Sequence, residues 1–506
     1  MAKQMTTTQA GTSIYRLLIF LLAAVFLLST LPASVAAKQE KKKAKVYLDY
    51  AKGAANWLEQ LAEPVDKDNP KKGIQWQYCN DLNIPVSLNN MYGGGSGVVL
   101  FYLNLYRVTG DKKYKKICIS GADGLLARAT VEDDKFFWEE TDTGRNDRIY
   151  SYVKEGYYTG AAGIGWVLLQ VYNEFGGKKY LKGAVGAADW LMDTATVEKD
   201  KAKWVDVYKR STTDIIAGNA GIILFFLDLY DSRKNKTHLK FAEKLGNWLI
   251  DVATKDEYGY KWPAHISKTV GRIYPNFSHG VSGIAYALAC LYEKTGKEIY
   301  LKYAQGSADW LIAKAEKTPT GVAWRHFEDP DKPEEGKSHR TGWCHGPAGT
   351  CNFFVKMAAI SSDKKKSLEF KNYADMASSW EFDAVNPAPG KTAYWNPGLC
   401  CGAASIGDYL LNDYLMGGDK DSLDAAVAVA GHLCKIADEY EKGCYRWCNS
   451  KRPNQEGHIY YAGNLLTGSS GVALFFLKLY VVLGGADKKI IELPDRRLAA
   501  PAANSD

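Results

Sequence analysis

The stretch YGGGSGVVLFYLNLYRVTGDKKY (92–114) joins a glycine-rich turn, an apolar run and a second turn that again carries glycine. It recurs as YTGAAGIGWVLLQVYNEFGGKKY (158–180), AGNAGIILFFLDLY (217–230) and SHGVSGIAYALACLYEKTGKEIY (278–300). Further copies are CHGPAGTCNFFVKM (344–357), CCGAASIGDYLLNDYL (400–415) and TGSSGVALFFLKLYVVLGG (467–485). The leading glycines Gly94, Gly160, Gly218, Gly280, Gly346, Gly402 and Gly468 fall 56 to 66 residues apart. A fixed period of this kind marks a stack of helical repeats. A second glycine follows three residues later in six copies, and Ser405 replaces it in the sixth.

Each apolar run is hydrophobic nearly all round, the pattern of a helix buried on every side, and the following glycine turn stops it. A second, amphipathic helix comes next, as in YLKGAVGAADWLMDTA (180–195) and YLKYAQGSADWLIAKA (300–315). The segment KVYLDYAKGAANWLEQLA (45–62) has this second pattern but precedes the first glycine motif, while the last glycine motif has no partner after it. A closed ring pairs the two. The expected fold is therefore all-α, an α/α toroid of seven inner and seven outer helices. It should form one domain over residues 38–488, with 489–506 as an unstructured tail. An open superhelix would need polar capping repeats, and neither end is polar.

Residues 1–37 read as a signal peptide. Lys3 and Arg16 precede the apolar run LLIFLLAAVFLLSTL (17–31), and the small residues of PASVAA suit cleavage after Ala36 or Ala37. The expectation is an exported protein with no membrane attachment after cleavage; an uncleaved anchor is the alternative. Losing Lys3 and Arg16 lowers the formal charge from +7 to +5, and much of the remainder sits in KQEKKKAK (38–45). So weak and local an excess does not point to nucleic acid. Ten cysteines in 506 residues are too sparse for a disulfide scaffold. Cys444 and Cys448 are the natural bridge candidates, and Cys79, Cys118, Cys290, Cys351 and Cys434 read as small buried residues.

The repeats also provide a frame for finding chemistry. The two residues before each leading glycine are Tyr92-Gly93, Tyr158-Thr159, Ile216-Ala217, Ser278-His279, Cys344-His345, Cys400-Cys401 and Leu466-Thr467. All mark the entrance to an inner helix, so they should ring one end of the toroid. Metal-ligand residue types occupy three consecutive repeats. Cys344, Cys400 and Cys401 offer three thiolates to one tetrahedral metal with a fourth position open, and sulfur donors favour zinc over calcium or magnesium. Buried structural thiols or a vicinal disulfide are the simpler alternatives.

The glycine-led repeats, WCHG (343–346) and CCG (400–402) resemble the lanthionine synthetase C-like family, the cyclases that make thioether rings in peptides. The resemblance covers essentially the whole chain after residue 37. It implies an α/α toroid with one zinc ion at its mouth, held by Cys344, Cys400 and, where the family has histidine, Cys401. It also implies catalytic roles for Asp214 in TTDIIAGNAG, His279 in NFSHGVSG and Arg340 in RTGWC. His345 is a spare ligand or lining residue. The implied substrate is a peptide, or a small thiol and electrophile pair, with any dehydroamino acid supplied by a separate dehydratase. Asp214 alone would also suit a helix cap, and Arg340 alone a surface charge. The rival readings are a toroidal glycoside hydrolase, which needs two facing carboxylates, and a non-catalytic scaffold binding peptide or zinc. The sequon at Asn276 abuts His279, so a glycan there would block the mouth.

Overall fold

The computed structural model describes residues 33–77, 87–139, 154–206, 209–266, 271–385, 396–448 and 461–497. In chain order its helices are α1 (Ala33–Gln60), α2 (Gly95–Thr109), α3 (Lys112–Ala127), α4 (Ala161–Phe175), α5 (Lys178–Thr194), α6 (Asn219–Arg233) and α7 (Lys236–Asp251). Then come α8 (Val281–Thr295), α9 (Glu298–Lys314), the single turn α10 (Gly342–His345), α11 (Pro347–Ile360), α12 (Lys364–Val385), α13 (Ala403–Gly417), α14 (Lys420–Lys435) and α15 (Ser469–Val482). Each apolar run becomes an inner helix: α2, α4, α6, α8, α11, α13 and α15. Each packs on the next in that order, and α15 packs on α2. The ring closes as expected, with the N-terminal helix α1 against α15.

Local chemistry sets the helix ends. Asp111, Asn235 and Asp419 cap outer helices by accepting a backbone N–H two residues on. Both glycines of the repeat, the leading one and the one three residues later, serve close approach. A Cβ on Gly402 would sit 2.1 Å from the Asn396 carbonyl, and one on Gly163 would sit 1.7 Å from the Tyr157 carbonyl. Burial supplies the driving force. Leu474, Phe475, Phe476, Leu477 and Leu479 of α15 are all at most 6% exposed, and each contributes about 1.5–3 kcal/mol.

Two features were not anticipated. Six of the seven outer helices run directly into a short antiparallel hairpin, such as Thr130–Glu132 with Lys135–Phe137, among the described residues. In five of these repeats a tryptophan ends or directly follows the second strand and turns its indole N–H back onto the outer helix. Trp76, Trp138, Trp262, Trp324 and Trp447 donate to the carbonyls of Leu58, Leu125, Leu249, Leu311 and Leu433 at 2.7–3.1 Å. These carbonyls lie near helix C-termini, where no intrahelical donor remains. Trp204 bonds Thr194 Oγ1 instead.

Residues 489–497 correct the expected unstructured tail. They form a strap that crosses the interior of the ring. Asn104 accepts from Ile491 N at 2.6 Å, Tyr286 donates to the Pro494 carbonyl at 2.9 Å, and Asn412 donates to the Arg496 carbonyl at 3.1 Å. Pro494–Arg496 is a buried 3-10 turn, and Arg497 pairs with Asp228 at 2.6 Å. The charges are buried because each meets a partner: Lys478 pairs with Asp408 at 2.9 Å and Glu492 at 3.2 Å. Residues 498–506 lie outside the described residues.

Cys444 and Cys448 are free thiols, which corrects the bridge reading. Cys444 begins a strand, and four residues of extended chain span about 13 Å, well beyond disulfide reach. Cys118 and Cys351 are buried as expected, Cys290 and Cys434 are half-buried, and Cys79 lies outside the described residues. The expected signal peptide lies almost wholly outside them too, and α1 already runs through Ala36 and Ala37. Among the described residues no helix is long and apolar enough to cross a membrane.

Candidate metal and acid–base site

The residues two before each leading glycine are tied into one ring of backbone hydrogen bonds. Tyr92 N donates to Tyr158 O, Tyr158 N to Ile216 O, Ile215 N to Ser278 O, and Ser278 N to Cys344 O, at 2.9–3.2 Å. Cys344 N donates to Cys400 O at 3.1 Å, Cys400 N to Leu466 O at 2.8 Å and Leu466 N to Tyr92 O at 3.3 Å, which completes the circle. Backbones paired this way run about 5 Å apart. Cysteines at adjacent ring positions must therefore converge.

The side chains of Cys344, Cys400 and Cys401 do converge, with their three sulfurs within 4.8 Å of one another. Cys401 Sγ lies 3.4 Å from Cys400 Sγ. Three thiolates on one zinc at about 2.3 Å would stand roughly 3.8 Å apart, so the donor set and spacing fit that ion. Cys344 and Cys400 are buried and Cys401 is exposed, so solvent reaches the cluster from that side. The Cys344 and Cys401 thiols and the Tyr92 hydroxyl, 3.5 Å away, all donate toward Cys400 Sγ and hold its proton affinity well below the usual thiol range.

Two side chains, Ser405 and Glu381, hold this geometry. Ser405, the exception to the glycine pattern, accepts from Trp343 N at 3.1 Å and donates to the Gly402 carbonyl at 2.7 Å, tying the Cys344 turn to the Cys400 turn. Glu381 on outer helix α12 accepts from Gly342 N and from Ala348 N, at the starts of α10 and α11. Burial pushes its carboxyl up to about 8, against the pull of those two N–H donors.

Beside the sulfurs stands an acid–base pair, His279 Nδ1 with Asp214 Oδ2 at 2.6 Å. Asp214 is 2% exposed, and its two oxygens divide between His279 and a helix cap. Its other oxygen caps α6, accepting from Ala217 N at 2.8 Å and Gly218 N at 3.0 Å. Asn90 and Asn464 hold the same place in the first and last repeats and cap with an amide oxygen. Capping thus needs no charge, and the aspartate charge is available to His279. Burial works against the imidazolium, but the Asp214 hydrogen bond and charge outweigh it and raise the His279 pKa. Arg340 is exposed.

His345 does not join the sulfurs. Its Nδ1 faces Asn276 Oδ1 at 3.2 Å and its ring stands edge-on to His326 at 4.5 Å. Burial and the neighbouring cations hold it neutral, with a pKa of about 2. Asn276 is 1% exposed and bonds the His326 carbonyl, so the sequon there is closed to a glycan. Sequence reasoning gave no role to Tyr92, although it stood in the repeat frame, and passed over His326, Glu381 and Arg496 entirely. His326 and Glu381 come from a loop and an outer helix that the glycine frame does not index.

The solved structure of nisin cyclase agrees with this architecture. Nisin cyclase superposes with a TM-score of 0.52 at 15% identity, covering 79% of this chain and 93% of its own. The α-1,6-mannanase of Salegentibacter sp. HEL1_6 gives 0.41 at 15% identity over 69% and 90%. The lacticin 481/lactococcin biosynthesis protein LcnDR2 of Lactococcus lactis subsp. lactis is 22% identical over 385 residues, 68% of this chain. The match spans only 38% of that protein's length. The family model for lanthionine synthetase C-like proteins matches residues 85–482, which takes in all seven inner helices, the three cysteines, Asp214, His279 and Arg340. The chain belongs to the lanthionine synthetase C-like family.

Proposed function

We propose that the protein is a zinc-dependent, exported enzyme that forms thioethers by adding a thiol to a dehydroamino acid in a peptide. The observation that carries this reading is a three-sulfur cluster beside the half-buried His279 and its buried partner Asp214 at the mouth of the ring. Cys344, Cys400 and Cys401 would hold the ion. Bound there, zinc supplies a means of keeping an incoming peptide thiol deprotonated at neutral pH. The remaining chemistry falls to the chain. Sulfur adds to the β-carbon of a dehydroalanine or dehydrobutyrine, the double-bond electrons move toward the carbonyl, and His279 delivers a proton to Cα. Asp214 fixes the imidazole and keeps it protonated. Arg340 supplies a positive charge near the developing oxyanion. The dehydroamino acid would come from a separate dehydratase. A glycosidase reading is disfavoured because Asp214, its best carboxylate, has both oxygens engaged by His279 and the α6 cap.

The test uses zinc-loaded protein and a peptide containing one cysteine and one dehydroalanine. Cyclisation leaves the mass unchanged but removes the thiol, so product no longer takes up N-ethylmaleimide. Enzyme-dependent loss of labelling, absent with Cys344→Ala, is the expected result. Equal labelling with and without enzyme would refute the activity.

A further inference from the structure

We infer that Arg496, carried into the ring by the C-terminal strap, is a positioning residue for the cysteine site. Its guanidinium is 2% exposed. Nη2 donates at 2.9 Å to the carbonyl of Leu399, the residue before Cys400. Cζ lies 4.9 Å from the ring centre of Trp343, the residue before Cys344. Nη1 stands 3.3 Å from Asp408 on α13, which anchors the group. One planar cation therefore bears on both residues that precede the two buried sulfurs, from two different repeats.

The arrangement complements the contacts already described. Ser405 and Glu381 hold the Cys344 turn through its backbone N–H groups, and Arg496 braces the Cys344 and Cys400 turns from inside the ring. The strap has the ties to do this, since Tyr158 donates to both Asp495 oxygens at 3.1 Å and Tyr286 holds the Pro494 carbonyl. Arginine suits the task. Its rigid fork can bond a carbonyl and lie on an aromatic face at once, which a lysine ammonium cannot. Three thiolates around a divalent cation carry a net charge of −1, and a buried cation behind them offsets it where screening is weak. The inference rests on reading the three sulfurs as a metal site.

The test compares the full chain with R496M, R496K and R497M, the last in the same strap but tied to Asp228. Each is titrated with Co2+, followed by sulfur-to-cobalt charge-transfer and d–d absorbance, and with Zn2+ against a chelator. The Tm of each metal-free protein is measured alongside. R496M should weaken both metals about 10- to 100-fold, the range for partners behind metal ligands, and shift the d–d bands. R496K should stay folded and weaken them less, and R497M should lower Tm with affinity and spectrum unchanged. Wild-type affinity and spectrum in R496M overturn the inference, as they do in R496K should R496M not fold. An equal loss of affinity in R497M overturns it too, because that would be a general loosening of the strap. Failure of the wild-type protein to take up either metal refutes the metal reading itself and this inference with it.

Discussion

Two arcs of the same ring share one backbone and differ in everything it presents. From Ser278 to Cys401 the mouth positions carry His279, His345 and three cysteines; from Leu466 round to Ala217 they carry leucine, tyrosine, isoleucine, threonine, glycine and alanine. The hydrogen-bond circle runs through both without a break. On the second arc the side chains mostly fill space: Tyr158 packs edge-on to Trp343 at 5.3 Å and Ile216 is 1% exposed, while Tyr92, next to the first arc, reaches Cys400 with its hydroxyl. The difference shows a scaffold that closes regardless of what stands at its mouth. Chemistry was then free to gather on neighbouring repeats, where the backbone spacing already suits a metal.

The sharpest way to break this contrast is to remove a ligand on the first arc. Cys400→Ala should reduce zinc, counted by elemental analysis, from one per chain to near zero while circular dichroism stays helical. Ile216→Val on the second arc should keep the full zinc complement. Equal zinc in both variants would dissolve the distinction. Loss of His279 should follow in size. His279→Asn should slow cyclisation by about 10²–10⁴-fold, the usual worth of a positioned general acid, with zinc retained. The pH dependence gives the sign. The acid works protonated and its pKa is raised, so the rate is full at low pH and falls as pH rises through that value. Asp214→Asn keeps the cap, as Asn90 and Asn464 do, but removes the charge. The falling limb of the rate profile should then move to lower pH; a limb that stays in place would show that Asp214 does not tune His279.

A smaller effect is expected from Cys401→His, which restores the family's usual residue. Zinc should still bind because imidazole also suits a tetrahedral site. The site loses one negative charge, and thiol addition should slow severalfold. Cys401→Ala should lose much of the metal affinity. Stoichiometric zinc in Cys401→Ala would show that another group supplies the third donor.

The toroid could be read from the sequence because glycine turns and apolar runs are local signals repeated seven times, and repetition averages out the ambiguity of any one copy. The cysteine cluster was legible for the same reason, since position within the repeat stands in for position in space. What escaped lay outside the repeat. Arg496 and the strap belong to a polar C-terminal stretch whose order comes only from long-range partners such as Asn104, Tyr286 and Asn412. Glu381 is one acid among many on an amphipathic helix, and only the fold turns it toward Gly342. The tryptophans were within reach. Trp76, Trp138, Trp204, Trp262, Trp324, Trp395 and Trp447 recur once per repeat, but they follow the outer helix rather than the glycines.

Those tryptophans give the smallest prediction, and it probes the scaffold alone. Trp324 on the first arc and Trp138 on the second each donate an indole N–H at 2.8 Å to a buried helix-end carbonyl, of Leu311 and Leu125. Both rings are buried, at 3% and 1% exposure, so water cannot replace the lost donor. Phenylalanine keeps an aromatic ring in the pocket, removes the donor and leaves the carbonyl unpaired. Each substitution should cost about 1–3 kcal/mol, the penalty for one buried unsatisfied group together with some lost packing. Because the two sites are structurally equivalent, Trp324→Phe and Trp138→Phe should lower Tm by the same amount, within error, in thermal unfolding of the metal-free chain. Neither should change zinc stoichiometry. If Trp324→Phe alone released zinc, the loop after this hairpin, which carries His326, would be part of the site, and the line between scaffold and chemistry would have to be redrawn through the first arc.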